Sequence, residues 1–150
     1  MMRKGQAAME YLMTYGWAIL IVLAIMGILV YLVRPQQVES CNVALPFQCE
    51  QNKYTINSTH YVKLSLVNVG SIAYNITQSK CGTSSTTLNT VITPGSNATL
   101  TINCGGSANI INNPQAGRDV FKDTILITYY PVGSPDFVKT QQIELVVKYS

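Results

Sequence analysis

The stretch RKGQAAMEYLMTYGWAILIVLAIMGILVYLV, residues 3–33, decides the architecture. Two cations, Arg3 and Lys4, stand at its start and one carboxylate, Glu10, follows. From Tyr11 to Val33 no residue is charged. A hydrocarbon core about 30 Å thick needs about 20 apolar residues at 1.5 Å each. Residues 13–33 supply them. The cations before the run place the N-terminus in the cytoplasm and everything after Arg34 outside. Pro35 removes a backbone donor and predicts the helix stop. An ordinary secretory signal fits less well. Its apolar region is usually 7–15 residues, and VYLVRPQQ offers no small-x-small cleavage site.

The chain has 150 residues, so about 110 remain for one small outer domain. Only 11% of residues are charged, against a usual ~25%. Ten basic and seven acidic residues give a net charge of +3, and Arg3 and Lys4 carry two of those positives. No basic footprint is left for nucleic acid. All four cysteines, Cys41, Cys49, Cys81 and Cys104, follow the apolar run. An even number on the outer side predicts two disulfides. Of three possible pairings, Cys41–Cys49 with Cys81–Cys104 closes the shortest loops at the lowest entropy cost. A zinc site would want C-x-x-C spacing and more than the single His60. Sequons begin at Asn57, Asn75 and Asn97, which on an external domain predicts glycosylation.

The outer residues alternate with a period of two. YVKLSLVNV puts Val62, Leu64 and Leu66 on one face. ATLTINC does so with Leu100, Ile102 and Cys104, TILITYY with Ile125, Ile127 and Tyr129, and QIELVVKY with Ile143, Leu145, Val147 and Tyr149. Residues 72–77 and 86–92 are shorter candidates. Turn signals at residues 69–71, 94–96, 105–106, 113–114 and 131–133 separate these strands. Six or seven short strands with one inward face each predict a two-sheet, immunoglobulin-like sandwich. No helical period and no internal repeat follows Pro35. LVNVGSIAYNIT and ITPGSNATLTI resemble the surface adhesion-type β-sandwiches of bacteria and archaea, over about forty residues. That resemblance implies a sandwich and no particular ligand.

No catalytic constellation stands out. His60 has no motif around it, and Asp119, Asp123 and Asp136 lack calcium-loop spacing. Strand tyrosines such as Tyr129 and Tyr149 read as packing residues. No cofactor, metal site or enzymatic activity is expected.

The segment QAAMEYL, with Gly5 before it, resembles the class III signal peptide of archaeal type IV pilin precursors, Q-x-S-x-E-Y-L. Gln6, Glu10, Tyr11 and Leu12 match, and Ala8 stands in place of the serine. The resemblance covers roughly the first 33 residues, and the start differs from that of archaellins. It implies that a membrane-embedded prepilin peptidase cuts between Gly5 and Gln6 and leaves the apolar helix on the mature chain. The new α-amine of Gln6 is mostly cationic at neutral pH. Gln6 and Glu10 are i and i+4, on one helical face. By resemblance, Glu10 would meet that amine in its own subunit or a neighbour as helices pack into a filament core. Ala18, Ala24 and Gly27 would let helices approach closely. An assembly ATPase with a membrane platform is the further partner the resemblance implies.

The expected fold is α+β. Residues 1–5 are a cleaved leader and 6–34 a hydrophobic transmembrane or filament-core helix. Residues 35–53 are a linker, and 54–150 an extracellular immunoglobulin-like β-sandwich. The expected function is a structural pilin, membrane-bound as a precursor and then polymerised with itself into a surface filament for adhesion. A minor pilin, or a single-pass anchored surface domain that never polymerises, is the alternative.

Overall fold

The structure, a computed structural model, describes residues 3–33 and 38–150. The chain forms two compact units that divide between residues 36 and 37.

The first unit is one helix, α1 (Arg3–Leu32), 30 residues long. Leu, Met, Ala, Glu, Gln, Lys and Arg are good helix formers, and single glycines interrupt the run only at a cost of about 1 kcal/mol each. The ladder satisfies its own backbone groups, as lipid requires. Val33 extends it, donating its N–H to the Leu29 carbonyl at 2.8 Å. The helix is long and apolar enough to cross a membrane. Its large apolar side chains are exposed on every side. Arg3, Lys4 and Gly5 are helical ahead of Gln6. Arg and Lys favour helix, and no capping residue resets the start. The expected stop at Arg34 and Pro35 lies outside the described residues, as do Met1 and Met2 of the leader.

The second unit is a β-sandwich of eight strands: β1 (Ser40–Val43), β2 (Phe47–Ile56), β3 (Tyr61–Asn68), β4 (Tyr74–Cys81), β5 (Ser84–Ile92), β6 (Asn97–Asn103), β7 (Val120–Pro131) and β8 (Lys139–Lys148). One sheet runs β1-β8-β7-β4-β5 and the other β2-β3-β6. All pairings between these strands are antiparallel. Without β1 the order is that of an immunoglobulin-like sandwich, with three strands facing four. An isolated parallel bridge, Ile56 to Tyr149, joins the two sheets at one edge.

The alternation locates the core. Val62, Leu64, Leu66, Leu100, Ile102, Ile125, Ile127, Ile143, Leu145 and Val147 are all buried between the sheets. Phe47, Tyr74 and Tyr129 pack edge to face at one end, with ring centroids 4.9–5.5 Å apart. Burial, and then Tyr74, pushes the Tyr129 hydroxyl above its ordinary pKa. The buried core of this unit is drawn from residues 47–149.

The expected linker over residues 35–53 is corrected by β1 and β2. Residues 40–43 pair with β8, and residues 47–49 pair with β3. Their polarity hides them: SCNV and FQCEQNK, residues 40–43 and 47–53, read as linker. Phe47 and Cys49 nevertheless point inward. A register shift between Cys49 and Tyr54 breaks the period within β2.

Candidate functional site

Among the residues singled out for assembly and processing, Gly5, Gln6 and Glu10 lie within the first turns of α1. Gln6 and Glu10 share a face, one turn apart. The Glu10 carbonyl accepts a hydrogen bond from Thr14 Oγ1 at 2.7 Å, closing a side-chain brace over the turn where the apolar run begins. Tyr11 and Tyr15 pack one turn apart, ring centroids 4.5 Å and planes tilted by 37°. Gly5, Gly16 and Gly27 each face open space, where an added Cβ would meet nothing. The segment therefore offers one carboxylate, a tilted pair of aromatic rings and three bare backbone positions on an otherwise greasy rod.

The four cysteines form the expected pairs. Cys41 and Cys49 join β1 to β2, with Cα atoms 6.0 Å apart. Cys81 and Cys104 join the end of β4 to the residue after β6, at 5.0 Å. Each bond staples one sheet to the other. The turn beside the second is tight. Gly82 has φ +59°, and a Cβ there would lie 2.3 Å from the Gly106 carbonyl. Only glycine fits that approach.

The three sequon asparagines separate. Asn57 is exposed at the β2–β3 turn, its Oδ1 accepting from Thr59 Oγ1 at 2.9 Å and the Tyr61 N–H at 2.8 Å. Asn97 is exposed at the start of β6. Asn75 is corrected as a glycosylation candidate. It is buried in β4, and its Nδ2 donates to Asn89 Oδ1 and to the Tyr130 hydroxyl, both at 3.0 Å. A glycan on that nitrogen would need room that the neighbouring strands occupy.

His60 sits at φ +65° in the β2–β3 turn, its Nε2 3.1 Å from the Ile111 carbonyl. It fastens the long β6–β7 loop. Asp119 caps that loop, its Oδ2 accepting from the Gln115 N–H at 2.8 Å. Asp123 accepts from Ser107 Oγ and from the Thr124 N–H. The acids do not converge, and among the described residues no three His, Cys, Asp or Glu side chains are grouped to hold a metal ion.

Two polar clusters escape a reading by periodicity. Glu50 on β2 pairs with Lys53, and its Oε2 accepts from Ser65 Oγ of β3 at 2.8 Å and Asn97 Nδ2 of β6 at 2.9 Å. One carboxylate thus braces all three strands of the smaller sheet. Lys53, then Ser65 and Asn97, hold its pKa down from 4.5 to about 2. Asn68, fully buried at the end of β3, donates from Nδ2 to the Ile72 and Ile92 carbonyls at 2.8 and 2.9 Å and accepts from the Gly70 N–H.

No protein-family model matches this chain, and no curated protein or solved structure matches it either.

Proposed function

We propose that the chain is a pilin, a structural subunit of an archaeal type IV filament, cut between Gly5 and Gln6 and polymerised through α1. The observation that carries this is α1 itself. It is apolar around its whole circumference, with one carboxylate, Glu10, a turn after Gln6. A helix apolar on all sides needs burial on all sides, first in lipid and then among other helices. The match of Gln6, Glu10, Tyr11 and Leu12 to the class III signal supports the same reading.

Cleavage changes the electrostatics of that segment. It removes Arg3 and Lys4 and turns the Gln6 peptide nitrogen into a cationic amine. A carboxylate drawn into an apolar helix bundle needs a partner, and the amine supplies one. The scissile bond lies in the first turn of α1, so a peptidase need unwind little to reach it. Gly5 keeps its backbone approachable. Within lipid the hydrophobic gain between helices is absent, so extraction into the filament requires an assembly ATPase and membrane platform. The sandwich then provides the outer coat for adhesion, with Asn57 and Asn97 as its exposed glycan acceptors. The role is structural and needs no cofactor.

Intact mass with N-terminal sequencing of protein sheared from the cell surface tests this. A chain beginning at Gln6 and recovered in filaments is the expected result. A chain beginning at Met1 and found only in membranes would replace the proposal with an anchored, non-polymerising sandwich. Glu10→Gln keeps size and polarity and removes the charge. It is expected to be cleaved normally yet to assemble at least about tenfold more slowly, scored as filament mass per cell. Assembly at the wild-type rate would show that the carboxylate is not the amine's partner.

A further inference from the structure

A sheet edge presents unpaired backbone N–H and C=O groups, and proteins blunt it with short strands, charges, prolines or bulges. Four strands form the edges of this sandwich, β1 and β5 in one sheet and β2 and β6 in the other. β1 has only four residues and is tied to β2 by Cys41–Cys49. β2 carries Glu50 and Lys53 and shifts register midway. β5 bulges: Ile76 and Gln78 of β4 pair with Thr90 and Thr87, which leaves an extra residue on β5. β6 has none of these devices. It pairs with β3 in unbroken register and contains no charge, proline or glycine. No residue from Cys81 to Gly117 is charged.

Two bonds at the end of β6 fix which backbone groups face the open side. The Asn103 N–H turns away from β3 and donates to Thr86 Oγ1 at 3.1 Å. The Cys104 N–H points the other way, to the His60 carbonyl at 2.9 Å. Backbone direction alternates along a strand. Thr101, Thr99 and Asn97 therefore turn their N–H and C=O outward, as Asn103 does, while Ile102 and Leu100 bond β3. Thr99 and Thr101 are exposed, and Leu100 and Ile102 are buried. The outward set is the same read in either direction: NATLTIN gives Asn, Thr, Thr, Asn about Leu100. That symmetry favours a partner with the same sequence running antiparallel.

We propose that two copies of this chain pair antiparallel along β6, about a two-fold axis at Leu100, and so join their smaller sheets into one. Thr99 of each copy exchanges two backbone hydrogen bonds with Thr101 of the other. Threonines side by side are favourable cross-strand neighbours, and like charges set opposite would repel. Here none are opposed, since Lys63, beside Thr101 on β3, lies one strand back. A contact of one strand with one strand falls short of the ~1,600 Å² of a standard interface, so a single pair is weak. A two-fold contact sets like surfaces together, whereas subunits along one helical filament meet by unlike ones. On the pilin reading, which this consequence rests on, the pair joins subunits of separate filaments, where many weak contacts act together. The pairing itself does not depend on polymerisation, so it can fail while the pilin reading stands, and the reverse.

The test uses residues 38–150, which hold the whole buried core of the sandwich, so that α1 cannot itself gather the chains. Sedimentation equilibrium from about 10 μM to about 1 mM covers a weak pair. The wild-type mass is expected to rise from monomer toward dimer and no further. Thr99→Lys with Thr101→Lys is expected to stay monomeric, as is Thr99→Glu with Thr101→Glu, both with an unchanged near-UV circular dichroism spectrum. Mixed in equal amounts, the two should pair at least as tightly as wild type, because every lysine then faces a glutamate. Thr101→Pro removes an N–H that β3 does not use and should weaken pairing at least about tenfold while leaving the fold intact. The proposal is overturned if the wild type stays monomeric throughout that range, or if the lysine variant or Thr101→Pro pairs as well as wild type. It is also overturned if the mixture of lysine and glutamate variants does not pair, since the contact then lies elsewhere.

Discussion

At the scale of single residues, the sandwich depends on polar side chains that pattern reading discards. Glu50 is the clearest. Its folded-state pKa is depressed, from 4.5 to about 2, by Lys53 and by the Ser65 and Asn97 donors. A depressed carboxylate contributes stability that is present above its unfolded pKa and lost as pH falls through the folded one. The midpoint of thermal unfolding of wild type should therefore fall toward that of Glu50→Gln between about pH 4.5 and 2. A difference between the two proteins that stays constant from pH 6 to pH 2 would mean the carboxylate is not braced. Asn68 acts differently, because it is buried and its amide meets the Ile72 and Ile92 carbonyls. Asn68→Ala strands those acceptors and the Gly70 donor, and should cost about 2–4 kcal/mol in urea unfolding with little change in slope. Neither role was legible beforehand. Ser, Asn and Glu at alternate positions look like a solvated face, and only the neighbouring strands make them partners. Asn75 misled for the same reason: its sequon is local, and its burial comes from β5 and β7 on either side.

At the scale of elements, legibility followed apolar content. β3, β6, β7 and β8 carry Ile, Leu and Val at every second position, so their inward faces could be named from the sequence. β1 and β2 could not, because their inward residues are few and β2 changes register midway. What holds these two strands is in part covalent, since Cys41–Cys49 crosses from one sheet to the other. The disulfide pairing was legible because the shortest loops also bridge facing strands. The two bonds should differ in worth. In the chain-entropy view a cross-link stabilises more when it closes a longer loop, and the sequence separations are 8 for Cys41–Cys49 and 23 for Cys81–Cys104. That predicts roughly 2.5 and roughly 3.4 kcal/mol respectively. The second pair is also fully buried, beside the close approach of Gly82 to Gly106. Replacing Cys81 and Cys104 together by alanine should lower the unfolding midpoint more than replacing Cys41 and Cys49. The reverse order, measured on both double variants in one buffer, would show that anchoring the edge strand β1 outweighs loop length.

At the scale of the whole molecule, two units with opposite needs share one chain. α1 exposes apolar side chains on all sides, while the sandwich closes every large core residue within residues 47–149. Their separation was legible from one abrupt change in composition near Pro35. The exposed Leu45, Ile72 and Phe137 at one end of the sandwich were not, since they lie far apart in sequence and only the strand topology brings their loops to the same end. The same division makes a prediction about stability. Sites that share no partners contribute additively, and burial drives folding of a small domain chiefly through its own core. Residues 38–150 alone should therefore be soluble and unfold in one cooperative transition. The full chain, kept in mild detergent around α1, should show the sandwich transition at nearly the same midpoint, within about 3 °C, which for a domain of this size is a fraction of a kcal/mol. Calorimetry of both forms in the same detergent checks this. A midpoint much lower for residues 38–150 would mean that α1 completes the core, and the helix could not then be surrendered to a membrane or a filament without weakening the sandwich. Coincident midpoints would mean that α1 can exchange lipid for other helices while the outer domain stays unchanged, as a subunit that moves from membrane to filament requires.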